Sequence, residues 1–287
     1  MSRFPGRLRS VMVCAALLLA AGCAGAPGTA PDGGQDLFQA LPAPAPPPTE
    51  VPKTAAPSEG STNGASSVSS SGVDWKPVAT DDFDRSSLGR SWDAYNSVGG
   101  FGNGYRRPSA ISVEDGLLRI TARGEVSGGM RHERDQLYGR WEFRARTEKG
   151  RGRGAAILLW PETENKDDGE LDMMEVPHEN RTEAHFVIHF SSENKQAGTK
   201  VTGDFSQWHT FAMDWLPDRI VWYVDGVKQF ETTDRNVIPK VPMHMTIQLD
   251  VGPYREWIPA PDETTPEEVS LEFDWVKIYS APREARR

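Results

Sequence analysis

Three acidic side chains fall within six residues in Gly169-Glu170-Leu171-Asp172-Met173-Met174-Glu175, a stretch flanked by the apolar runs Ile157–Trp160 and Phe186–Ile188. On a strand, Glu170 and Asp172 share one face while Leu171 and Met173 take the other. Strict alternation would send Glu175 into the apolar face, where an unpaired carboxylate is costly. A β-bulge at Met173-Met174 adds one residue and returns Glu175 to the Glu170 side. The two glutamates then stand four strand positions apart, roughly 13 Å between Cα atoms. Side chains leaning together would bring the carboxyls to the ~5 Å that a nucleophile and an acid need to cleave a glycosidic bond with retention. A solvated strand face or an acidic calcium-binding run would also give this spacing.

Context separates these readings. Trp160-Pro161, a short polar loop, the acidic stretch, and His189 on the following strand together resemble glycoside hydrolase family 16. The bulged Glu-x-Asp-x-x-Glu is similar to the laminarinase-like branch, and the resemblance runs from about Asp82 to Tyr279. It implies an all-β, concanavalin A-like jelly-roll sandwich with a concave substrate cleft. Glu170 would be the nucleophile, Glu175 the general acid/base, and Asp172 the group orienting Glu170. Three carboxyls so close cannot all ionise freely, so at least one pKa is expected to rise.

Further residues are carried over one by one. Trp160 matches a cleft tryptophan that would stack on sugar, with core packing as its other reading. His189 would line the cleft near the acid/base, and His185 reads as an ordinary hydrogen-bonded histidine. Arg144 would contact substrate or the carboxylates, or form an ion pair with Glu142 or Glu170. Asn103, in Gly99–Tyr105, is a substrate contact or a plain turn residue, and Trp257 a second sugar platform. No cofactor is required for catalysis. A structural calcium is implied at Asp274 with a carbonyl near Gly116. A zinc site from His178, His185 and His189 matches no recognised ligand spacing.

The rest of the chain positions these groups. Tyr138–Arg146 alternates, with Trp141, Phe143 and Ala145 opposite Glu142, Arg144 and Arg146. Asp115-Gly116 and Asp225-Gly226 read as hairpin turns. Many short strands punctuated by turns, without long helical periodicity, point to a β-sandwich. Nine tryptophans suit both a large core and sugar platforms.

Residues 1–22 have a basic start and an apolar run of signal-peptide form, too short to span a membrane. The end Leu19-Ala20-Ala21-Gly22-Cys23 resembles a bacterial lipobox, which implies an acylated Cys23 and a lipid anchor on the outer face of the membrane. An ordinary secretory signal is the other reading. Residues 23–72 are a Pro/Ala/Ser/Gly-rich tether with too few large apolar residues for a core. The folded domain is expected over 73–282, with a tail at 283–287. The formal charge of −9 would fall to about −12 once Arg3, Arg7 and Arg9 leave, which argues against nucleic acid as partner. The only cysteines, Cys14 and Cys23, precede the domain, so no disulfide framework is available to it.

A monomer acting on internal bonds of a β-1,3- or mixed-linkage glucan is the expected activity. A transglycosylase or galactan hydrolase working on an envelope glycan, and a non-catalytic glycan-binding lipoprotein, are the alternatives.

Overall fold

The computed structural model describes residues 72–286; the signal-like segment, Cys23 and nearly all of the tether lie outside the described residues. Among the described residues, eighteen strands follow one another. The first eight are β1 (Lys76–Asp81), β2 (Trp92–Ala94), β3 (Ser97–Val98), β4 (Tyr105–Arg106), β5 (Ile111–Glu114), β6 (Leu117–Arg123), β7 (Val126–Ser127) and β8 (Gly129–His132). Five longer ones come next: β9 (Gly139–Thr147), β10 (Arg153–Pro161), β11 (Glu170–Val176), β12 (Glu183–Phe190) and β13 (Lys195–Thr202). The last are β14 (His209–Leu216), β15 (Arg219–Val224), β16 (Val227–Thr232), β17 (Met243–Val251) and β18 (Glu268–Ser280).

They form two sheets. The seven-stranded sheet runs β13-β12-β11-β10-β17-β8-β2, and the eleven-stranded sheet runs β16-β15-β14-β9-β18-β6-β7-β4-β3 with β1 and β5 attached at β18 and β6. Period-2 alternation explains why they face each other. Trp141, Phe143, Phe211, Met213, Trp222 and Phe273 project from one sheet, and Ile157, Leu159, Leu171, Phe186, Ile188 and Ile247 from the other, into a shared core. Four of the nine tryptophans, Trp92, Trp141, Trp215 and Trp222, are buried in this core, and Trp75 is buried in a smaller cluster with Leu216 and Tyr279. Losing any such ring costs about 3–5 kcal/mol.

Both expected hairpins are present. Asp115-Gly116 joins β5 to β6 and Asp225-Gly226 joins β15 to β16, all four residues at positive φ as a two-residue turn of this kind requires. The segment Arg283–Arg286, expected as a tail, makes a 3-10 turn whose Ala285 packs beside Trp75 and Tyr279.

Gly169 sets the entry into β11. Its φ is +105°, and a Cβ there would sit 2.9 Å from the Pro239 ring. Gly169→Ala should therefore cost about 1–3 kcal/mol. Calorimetry is expected to show a Tm lower by about 2–10 °C.

Candidate active site

The site is built on β11, third in the seven-stranded sheet. Ile157 pairs with Met174 and Leu158 with Asp172, which leaves Met173 as one extra residue. On the other side Asp172 faces Val187 and Glu175 faces His185, again with one residue gained on β11. This is the bulge expected at Met173-Met174. Both methionines are fully buried, their flexible thioethers filling the space that the irregular backbone leaves. Glu170, Asp172 and Glu175 consequently share the face turned away from the core.

Burial on a sheet face and mutual repulsion shape their protonation. Glu170 is pushed up to about 8, first by desolvation and then by the charge of Asp172, with His189 pulling the other way. Asp172, nearly inaccessible, is likewise pushed to about 8 by burial, while its hydrogen bond with Glu170 acts against the rise. Glu175 is held well above the ordinary range by desolvation, then by Asp172 and Glu170; His189 and a hydrogen bond from the Trp257 indole lower it. These three titrate as one group. At neutral pH it retains protons that isolated carboxyls would have lost.

His189 stands opposite Glu170 in the β11–β12 ladder. Its Nε2 lies 3.1 Å from Asp172 Oδ2, off the hydrogen-bond line, and its Nδ1 is 3.0 Å from Asn194 Oδ1 and 3.3 Å from Gln196 Nε2. His185 is the ladder partner of Glu175, and the charge of His189 reaches Glu175 from four residues further along β12.

Trp160 shares the carboxylate face, one alternation beyond Leu158. Only 8% of it is exposed, and its Nε1 donates to Glu164 Oε2 at 3.1 Å, so a strip of the ring is open. Trp257 sits at the Glu175 end, where its indole N–H is committed to that carboxylate and its ring meets His185 edge-on at 4.5 Å. Asn103 lies on an exposed loop that stacks Phe101 on Tyr254, and its amide donates to the Pro253 carbonyl at 2.6 Å. The loops at 99–104 and 252–258 thus wall the Glu175 end, while the Trp160–Glu164 loop borders the Glu170 end.

One expectation needs correction. Arg144 is not at the carboxylates: β9 belongs to the other sheet, and because Phe143 and Ala145 face the core, Arg144 points out of the far side of the sandwich. There its Nη1 pairs with Asp274 Oδ2 at 2.7 Å, and the guanidinium covers Trp208. Alternation gave the face correctly but not the sheet. Asp274, the residue implied for a structural calcium, is thus engaged by this guanidinium.

The polar face of β17 also belongs to this side of the sheet, although sequence alone assigned none of its residues to the site. His244, Thr246, Gln248 and Asp250 alternate with core residues and lie level with Trp160, Leu158 and Ala156 across the β10 ladder. Asp135 holds His244 at 2.9 Å, Tyr95 meets Thr246 at 3.3 Å, and Arg106 pairs with Asp250 at 2.6 Å. The alternation in Met243–Val251 was the available signal. A cavity of about 570 Å³ lies elsewhere, on the outer face of the eleven-stranded sheet. Its Arg119 and Glu272 neutralise each other at 2.7 Å, and none of its lining residues is in the carboxylate row.

The sequence profile of Glycosyl hydrolases family 16 matches residues 103–277. A β-glucanase of Rhodothermus marinus is 31% identical over 219 residues, covering 62% of this chain and 76% of that protein. A glucan endo-1,3-β-glucosidase of Cryptopygus antarcticus is 28% identical over 194 residues, 57% of this chain and 70% of that one. Among solved structures, the endo-β-1,3-glucanase of Pyrococcus furiosus aligns with a TM-score of 0.67 at 26% identity, covering 74% of this chain and 96% of that chain. Fold and likenesses define a jelly-roll glycoside hydrolase. With more than half of its length matched, the chain belongs to glycosyl hydrolases family 16.

The raised carboxyls have a consequence for stability. A folded-state pKa of about 8 for Glu170, against an ordinary 4.5, means that the fold binds extra proton between those values and loses stability as pH rises through them. That loss is absent below about 4.5 and complete above about 8. Glu170→Gln should raise Tm at pH 8, by on the order of 5 °C. At pH 4 it should leave Tm nearly unchanged. Melting curves at the two pH values check this.

Proposed function

We propose that the protein is a retaining, endo-acting β-glucanase that cleaves internal bonds of a β-1,3- or mixed-linkage β-1,3/1,4-glucan, with Glu170 as nucleophile and Glu175 as general acid/base. The observation that carries the reading is the bulge in β11, which brings both glutamates and Asp172 onto one face of a family 16 sandwich. The Rhodothermus β-glucanase and the Cryptopygus endo-1,3-β-glucosidase support the substrate class.

The chemistry follows from the charge state of the cluster. Repulsion favours one negative charge shared among three carboxyls. With that charge on Glu170, its oxygen attacks the anomeric carbon and forms a glycosyl ester while Glu175 gives its proton to the departing oxygen. Asp172, hydrogen-bonded to Glu170, stabilises and aims the nucleophile. Glu175, now ionised, takes a proton from water, which attacks the anomeric carbon and breaks its bond to the Glu170 oxygen. A sugar hydroxyl in place of that water would give transfer instead of hydrolysis. Desolvation serves both carboxyls: it keeps the acid protonated near neutral pH and leaves the nucleophile poorly solvated.

Reducing-end release by the full-length protein should appear on β-1,3- and mixed-linkage glucans and not on galactans. Glu170→Gln and Glu175→Gln should each lower turnover by about 10³-fold or more. Near-native activity in either variant on a good substrate would overturn the assignment.

The Leu19–Cys23 segment supports lipid anchoring of this enzyme to the outer face of a membrane, as a further part of the proposal. Metabolic palmitate labelling is expected in the wild-type chain and should vanish in Cys23→Ser; label that persists in that variant would exclude the anchor.

A further inference from the structure

A cluster that the catalytic reading leaves unused lies at the Glu175 end of the site. Glu183 and His185 are two apart on β12 and so share one face, and His178 approaches from the turn that follows β11. One ligand atom from each lies within 4.8 Å of the others. A second observation points the same way. His185 is more than nine-tenths buried, and its Nε2 is buried without any hydrogen-bond partner. That nitrogen stands 3.7 Å from Glu183 Oε2, too long for a hydrogen bond and aimed into the cluster. A buried polar atom left unsatisfied is costly unless something else meets it.

We propose that His178, Glu183 and His185 bind one divalent cation of the zinc class at the rim of the active site. Two imidazoles and a carboxylate are a ligand set for zinc, copper or nickel rather than for calcium or magnesium. Three protein ligands leave a coordination position for water. The ligand atoms must draw in by about 1 Å to reach the ~3.4 Å spacing implied by bonds of roughly 2 Å in a tetrahedron. Two of the three ligands permit this: His178 and Glu183 are only half-buried. Glu183 binds Lys200 Nζ through Oε1 at 3.0 Å, which leaves Oε2 for the metal while setting a competing positive charge nearby. Affinity is therefore moderate, and the cation comes and goes.

Occupancy reaches the chemistry through Trp257. That indole rests edge-on against the His185 ring at 4.5 Å and donates to Glu175. Turning the imidazole onto a metal moves the surface that supports the indole, so the bound cation inhibits turnover. This second step rests on the catalytic role given to Glu175; binding does not.

Isothermal titration of the untagged full-length protein with zinc chloride tests the site. One zinc per chain is expected, with no binding of magnesium at the concentration that saturates zinc. His178→Ala and His185→Gln should each bind zinc at least about tenfold more weakly, since losing a ligand costs no less than losing a group that merely orients one. His178 is peripheral to the core, so its variant keeps the question open should His185→Gln fail to fold. Lys200→Gln should bind zinc more tightly. No zinc binding, or equal binding by His178→Ala, would overturn the site. If zinc binds but slows wild-type and His178→Ala turnover equally, the link to Glu175 is refuted while the site stands. Should no glycan be turned over at all, the calorimetry still decides the binding.

Discussion

Desolvation of three neighbouring carboxyls is the constraint on which the rest of the site depends. Burying Glu170, Asp172 and Glu175 on one strand face raises the proton affinity of each, repulsion adds to the rise at Glu170 and Glu175, and nothing about a β-strand favours that arrangement. The counterweights are modest ones, the imidazole of His189 and the indole N–H of Trp257. A guanidinium in their place would hold all three ionised and abolish the acid. Here the arginines of β9 point out of the opposite sheet, where they pair with Glu272, Asp274 and Asp214. Segregating strong cations from the carboxylates keeps a proton available at neutral pH.

The fold bears the cost of this cluster. Behind β11 lies a continuous core that includes Leu171, Met173, Met174, Phe186 and Trp222, and the strand is paired on both sides by β10 and β12. An edge strand could relieve like-charge repulsion by fraying; β11, held between two neighbours, cannot. The bulge is stable for the same reason. Its extra residue is a methionine that packs inward, so one irregular backbone step re-aims Glu175 without opening a cavity.

Much of this arrangement was legible in the residues. Alternation gave the faces of β9 and β11, the two Asp-Gly dipeptides gave their hairpins, and the carboxylate costs alone called for the bulge. Arg144 shows where such reasoning stops. Period-2 patterning says which side of a strand is polar, but it does not say which of two sheets the strand joins, and both sheets here have a polar outer face. His189 was legible as a residue of the strand beside the carboxylates, but spacing alone did not say that it stands opposite Glu170 with Asp172 at 3.1 Å. The grouping of His178 with Glu183 and His185 was invisible because it needs a turn and a strand to converge. The three-histidine alternative failed because His189 faces Asp172 instead.

The same logic locates substrate choice. Residues on β11 are bound to the chemistry, and the core side of every strand is bound to packing. What remains free to vary is the outward face of β17, with His244, Thr246, Gln248 and Asp250, together with the loops that wall each end. Three of those β17 side chains are held in place, His244 by Asp135, Thr246 by Tyr95 and Asp250 by Arg106, so they present a fixed row of polar groups beside β10. Rigid donors and acceptors discriminate hydroxyl positions far better than an apolar surface does, because a mismatched sugar leaves buried polar groups unpaired. These fixed polar groups stand across β10 on β17, one strand away from β10's other partner, β11, which carries Glu170 and Glu175.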